Sequence, residues 1–176
     1  VGSPAVSDRV GDDQAEIVGR ACFGLSRGAG ATTGGKEVKT LGDGHMVVFA
    51  SALDAVGCAV AIQQAVELHN GEPDAEQLGV RIGINAGDVT FDENDYFGTP
   101  VTVAKRLCDQ AKGGQIIVSD LVSALVGSRG QFSFTTVGAL QLRGISQPLA
   151  AREVRWRSDG EPDVTVVKAA AAASGA

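Results

Sequence analysis

The chain has 176 residues, 44% apolar, 20% charged and only 5% aromatic, the balance of one ordinary domain long enough to bury a core without staples. Its 21 acidic against 15 basic residues give a net charge of −6, which excludes the basic footprint of a nucleic-acid binder or of a protein lying on an anionic membrane. No stretch reaches the roughly 18 apolar residues that span a bilayer and none reads as a charged-then-apolar leader, so a cytoplasmic protein is expected. Cys22, Cys58 and Cys108 form an odd set without a CxxC pair, read as reduced thiols packed in helices. The 24 glycines, nearly twice the usual ~7%, announce turns and close backbone approaches.

From Asp12 to about Gly30, Ile17, Val18, Ala21, Cys22 and Leu25 recur at helical spacing, predicting a helix that its interleaved glycines oblige to pack against something. EVKTL and HMVVF then flank Gly42-Asp43-Gly44, a hairpin signal. A long helix follows, with Ser51 as N-cap and Asp54 three residues on. Its predicted buried stripe is Ala55, Cys58, Ala59, Ile62 and Val66. VRIGINA alternates Val80, Ile82, Ile84 and Ala86 against Arg81, Gly83 and Asn85, a half-buried strand expected to continue past Gly87 to Phe91.

DENDYFGTP reads as a loop, with Pro100 suited to the first turn of the helix VTVAKRLCDQA. QIIVSD is a short strand and LVSALVG a short helix, and FSFTTVGALQLRG with LAAREVRW gives two or three strands around a turn from Ile145 to Pro148. The composition changes after Trp156. Residues 1–157 are expected to form one domain and residues 158–176 a low-complexity, disordered tail. This alternation of strands and helices without an internal repeat predicts an α/β fold, an α+β sandwich with a mixed sheet.

Five charged residues are candidates for chemistry. Asp43 either makes a tight turn or, held at a hairpin tip, offers a carboxylate to a hard divalent cation such as Mg²⁺. Lys39, four residues earlier on the entering strand, is an edge charge or a ligand-facing cation. Asp95 lies in an acidic loop, Arg106 on the helix after Pro100, and Arg143 in a turn-flanked LRG.

VKTLGDGHMVVF, VRIGINAGDV, DYFGTPVTVAKRLCDQAKGGQIIVSD and LRGISQPLAAREV, in that order and spacing, together resemble the class III nucleotidyl cyclase catalytic domain, most closely the bacterial adenylate cyclases. The resemblance runs from Val1 to about Trp156. It implies a ferredoxin-like α+β domain with a mixed, mainly antiparallel sheet flanked by helices, which pairs head to tail and cyclises ATP to cAMP in clefts between two protomers. By similarity, Asp43 would be one of two aspartates holding Mg²⁺ or Mn²⁺. Lys39 and Asp95 would read adenine, Arg106 would stabilise charge on the reacting phosphate, and Arg143 would meet the triphosphate.

Three departures accompany the resemblance. Family members open with a strand reading like F-x-D-I or F-x-D-V, which bears the other metal aspartate, before a V-G-S-T segment, whereas this chain opens at VGSPAVSDRVGD. A chain without that strand is expected to bind metal weakly, to be impaired, and to fill its open sheet edge from a neighbouring chain, by strand exchange in a homodimer. Pro4 stands where Thr or Ser is common near the phosphates, and Thr102 occupies the place of an asparagine that orients the ribose. An alternative expectation is therefore a degenerate cyclase homologue acting as a nucleotide-binding or dimerisation module.

Overall fold

The computed structural model describes Ile17, residues 36–41 as backbone, and residues 44–127, 129 and 131–157 in full. Strand β1 (Lys36–Leu41) turns into β2 (Gly44–Val48), followed by helix α1 (Ala52–Asn70), β3 (Ile82–Ile84), β4 (Thr90–Asp92), β5 (Asp95–Phe97) and helix α2 (Thr99–Gln110). Strand β6 (Ile116–Ser119), helix α3 (Asp120–Gly127), β7 (Ser133–Leu140) and β8 (Leu149–Arg155) complete the order. The expected α+β architecture with a mixed sheet is observed. The central sheet runs β3-β6-β8-β7, with β1-β2 and β4-β5 as separate two-stranded ribbons. Among the described strands only the β3-β6 pair is parallel.

Strand β6 sets the layers, because its sequence IIVS is buried along its whole length, the mark of a strand covered on both faces. Ile116 and Val118 face a cluster with Val56 and Ala59 of α1, Val122 and Val126 of α3, and Val154 of β8. Ile117, pointing the other way by the two-residue period, packs with Val103 and Leu107 of α2, Ala151 of β8 and Leu142. Helices α1 and α3 thus cover one face and α2 the other. Each fully buried aliphatic side chain contributes about 1.5–3 kcal/mol.

Several expectations hold in detail. The Ser51 hydroxyl accepts from the Asp54 N–H at 3.4 Å, so α1 starts where the capping pattern placed it. Cys58, Ile62 and Val66 of α1 bury against Leu78, and Ile17, which is helical, packs on that group. The remainder of the helix expected over residues 12–30 and the tail 158–176 lie outside the described residues.

Other expectations are corrected. The stripe of α1 runs through Val56 and Gln63 rather than Ala55. Buried Gln63 spends its amide by donating to the Val80 carbonyl at 2.9 Å, which lets a polar side chain occupy a core position. The strand predicted over residues 80–91 is cut to Ile82–Ile84, because the chain leaves the sheet to run beside Pro100, where the Asn85 amide donates to the Pro100 carbonyl at 3.2 Å.

The loop predicted over DENDYFGTP is in fact the hairpin β4-β5, pairing Thr90 with Phe97, Phe91 with Tyr96 and Asp92 with Asp95. Glu93 and Asn94 form its two-residue turn with φ of 46° and 63°. Both central residues are left-handed there, as a type I′ turn requires, although the usual Asn-Gly signature is missing.

Cys58 is disulfide-bonded and Cys108 is free, correcting the expectation of three reduced thiols. Cysteine spacing along a chain does not reveal which Cα atoms fold to bridging distance. No described helix is long and apolar enough to cross a membrane.

Candidate active site

Helix α2 carries two of the candidates and is held unusually close to the sheet. Gly98, with φ 129°, leads the chain into it, and Pro100 occupies its first turn, where a missing N–H costs nothing. The Val101 and Thr102 N–H groups donate to the Gly98 carbonyl at 3.2 and 3.3 Å. Val103 and Leu107 anchor the inner face in the core. On the strand opposite, a Cβ at Gly83 would stand 2.8 Å from Cys108 Cα, so β3 and α2 touch backbone to backbone and only glycine fits. The Cys108 thiol donates to the Arg81 carbonyl at 3.3 Å, and burial pushes it above its ordinary pKa.

Thr102 is exposed and Arg106 half-buried, one helical turn apart on the same side of α2. The Arg106 NH1 donates to Asp109 Oδ2 at 3.2 Å, while Lys105 Nζ donates to Asp109 Oδ1 at 2.7 Å. The hydrogen bond and charge of Lys105, joined by those of Arg106, hold the Asp109 carboxyl below the usual carboxylate range. The Arg106 Nε is buried with no hydrogen-bond partner among the described residues.

Asp95 opens β5, half-buried, its Oδ1 accepting from the Tyr96 N–H at 2.8 Å. The Tyr96 ring packs on Phe91 across the hairpin, with centroids 4.8 Å apart. Lys39 lies on β1 opposite Met46, in a register that ends with Leu41 opposite Gly44. Asp43 lies outside the described residues, and of Lys39 only the backbone is described. Arg143 is exposed and follows Leu142, whose side chain is buried against Val103 and Leu107 of α2. Its loop is thereby fastened to the helix that carries Thr102 and Arg106.

Strand β5 is the junction, touching both β1 and α2. The strand bearing Lys39, the strand bearing Asp95 and the helix bearing Thr102 and Arg106 therefore converge, and the loop of Arg143 joins that helix through Leu142. Asp109 was not singled out in the sequence, though its place three residues after Arg106 and four after Lys105 was a visible signal. Among the described residues no group of three or more His, Cys, Asp or Glu side chains is placed to hold a metal ion. They do not by themselves make a metal centre, and the one nominated carboxylate, Asp43, is outside them.

Residues 25–154 match the family described as the adenylate and guanylate cyclase catalytic domain. A putative adenylate cyclase 3 of Rhizobium meliloti is 35% identical over 116 residues, 65% of this chain and 20% of that protein. A pH-sensitive adenylate cyclase of Mycobacterium tuberculosis is 28% identical over 67% of this chain and 29% of its own length. The chain thus spans less than a third of either relative.

Among solved structures, an adenylate/guanylate cyclase/hydrolase from Silicibacter pomeroyi is 32% identical and superposes with a TM-score of 0.73, covering 87% of this chain and 85% of that one. The adenylyl cyclase CyaB of P. aeruginosa, 20% identical, shares the fold with a TM-score of 0.66 over 93% of this chain and 87% of its own.

Proposed function

Because the chain belongs to the adenylate and guanylate cyclase catalytic domain family, we propose that it converts ATP to cAMP and pyrophosphate at a site completed in a homodimer. The observation that carries this reading is the contact of β5, the strand of Asp95, with both β1, the strand of Lys39, and α2, the helix of Arg106. Lys39 donates to adenine N1, and Asp95 accepts from the exocyclic amine. Guanine presents an N–H and a carbonyl on the same edge, so this pair rejects it by mismatched hydrogen bonds.

In the reaction, the ribose 3′-oxygen forms a bond to the α-phosphorus and the bond from that phosphorus to the bridging oxygen of the β-phosphate breaks. The hydroxyl proton passes to solvent and pyrophosphate leaves. Arg106 meets the charge that grows on the phosphoryl oxygens, Arg143 holds the triphosphate, and Thr102 orients the ribose through its hydroxyl or a bridging water. The family is metal-dependent. Asp43 is proposed to hold Mg²⁺ or Mn²⁺, an ion that supplies charge neutralisation to the phosphates. A nucleotide substrate of this kind suits a cytoplasmic site of action.

The test is formation of cAMP from ATP by the purified protein with Mn²⁺ or Mg²⁺, beside Lys39→Ala and Asp95→Ala. Loss of cAMP formation on both substitutions supports the reading. ATP binding without turnover, abolished by Asp95→Ala, assigns the chain instead to nucleotide sensing. No nucleotide binding at all overturns both.

A further inference from the structure

We infer that Asp109 is a positioning residue, whose carboxylate holds the guanidinium of Arg106 in the orientation that phosphoryl transfer requires. This rests on the cyclase reading above and extends it to a residue to which the resemblance assigns no role.

The helix dipole and the order of the ion pair do not favour an aspartate at this position. Residue 109 lies in the last turn of α2, where a carboxylate faces the negative end of the helix dipole at a cost of about 0.3–1 kcal/mol. Its partner Lys105 lies four residues before it, the less favourable order for an intrahelical ion pair. The helix nevertheless spends two cations on this one carboxylate, Lys105 on Oδ1 at 2.7 Å and Arg106 on Oδ2 at 3.2 Å. With Lys105 on Oδ1, Oδ2 is the oxygen that faces NH1.

Asp109 is the one ion-pair partner of Arg106 among the described residues, and Nε is buried with none. Without this partner, the long arginine side chain would sample several rotamers rather than one. Thr102, Arg106 and Asp109 stand at i, i+4 and i+7, one stripe of α2. The carboxylate thus grips the guanidinium from the side away from Thr102, the ribose-facing residue. A guanidinium steadied before substrate arrives stabilises developing charge without reorganising at the moment of reaction.

The experiment is a double-mutant cycle on cAMP formation with Asp109→Asn, Arg106→Ala and the pair, thermal melts verifying that each variant folds. Asp109→Asn is expected to lower kcat about tenfold with KM for ATP within about twofold, because a misplaced group costs transition-state rather than ground-state binding. In the Arg106→Ala background the same substitution should change nothing further, and Asp109→Glu should recover most of the rate. An equal fall in both backgrounds, or wild-type kcat in Asp109→Asn, overturns the inference.

If the wild-type protein makes no cAMP, the cyclase reading fails separately, and the pair is read by calorimetry with inorganic tripolyphosphate and Mn²⁺. Non-additive weakening by the two substitutions there supports the positioning role. Additive weakening, or none from Asp109→Asn, refutes it.

Discussion

Helix α2 and the β4-β5 hairpin both carry proposed site residues, yet they are built to opposite standards. The helix is seated on β3 so closely that a single Cβ at Gly83 would strike it, and Val103 and Leu107 lock it into the core. The hairpin has two strands of three residues each. It is steadied by the Phe91-Tyr96 ring contact, while Phe91 and Phe97 are about half exposed. The division matches the chemistry proposed for each. Charge stabilisation at a reacting phosphate is lost with a displacement on the order of 1 Å, whereas a hydrogen bond to a base edge tolerates a more lightly anchored carrier and contributes about 1 kcal/mol.

The sharpest way to break the contrast is at the seat of the helix. Gly83→Ala is expected to cost about 3 kcal/mol of stability through overpacking, read as a lowered urea midpoint, because the obstructing atoms are backbone and do not swing aside. A variant as stable as the wild type would mean that α2 is not rigidly seated.

Next comes Arg106→Ala, for which kcat should fall by about a hundredfold or more with little change in KM, the cost of one preorganised donor. Asp95→Ala, on the hairpin, should show the complementary signature. KM for ATP rises about tenfold and the preference for ATP over GTP shrinks, with kcat less affected. An unchanged ATP to GTP ratio would remove the hairpin from base recognition.

The smallest effect concerns acid. The Asp109 carboxyl is held below its usual range chiefly by its hydrogen bond from Lys105 and also by Arg106, so its folded pKa lies under its unfolded value of about 3.9. The stability it contributes is therefore present above that value and disappears as pH falls through the lowered pKa. Asp109→Asn should differ from wild type by a small constant amount at neutral pH, with the difference beginning to shrink below about pH 3.9 and vanishing beneath the lowered pKa. Because the carboxylate is exposed, added salt should shrink the difference.

Much of the fold was legible because it is written in local patterns. Ser51 caps α1 as the spacing to Asp54 indicated, Pro100 starts α2, and the two runs flanking Gly42-Asp43-Gly44 pair as β1 and β2. The misreadings arise where pairing or contact beyond the local pattern decides. Glu93 and Asn94 adopt left-handed backbone without a glycine, Gln63 sits in the core because a carbonyl 17 residues away takes its amide, and the strand after Val80 ends early to follow Pro100. The last two are settled by neighbours 15 or more residues away in the chain, and the turn by the pairing of β4 with β5.

The candidate site divides the same way. Lys39, Asp43, Asp95, Thr102, Arg106 and Arg143 are nominated by motif order and spacing, whereas Asp109 draws attention through the atoms it touches.

The sequence by itself determined most element types, helix starts, the mixed α+β class and the residues worth suspecting, because propensity, periodicity and turn chemistry act over a few residues. Only the tertiary structure decided that β5 is the junction of β1 and α2 and that Gly83 admits the helix backbone. Those outcomes depend on how separate elements close on one another around β6. That closure follows from summed burial and steric fit across the whole domain, which no short window of sequence contains.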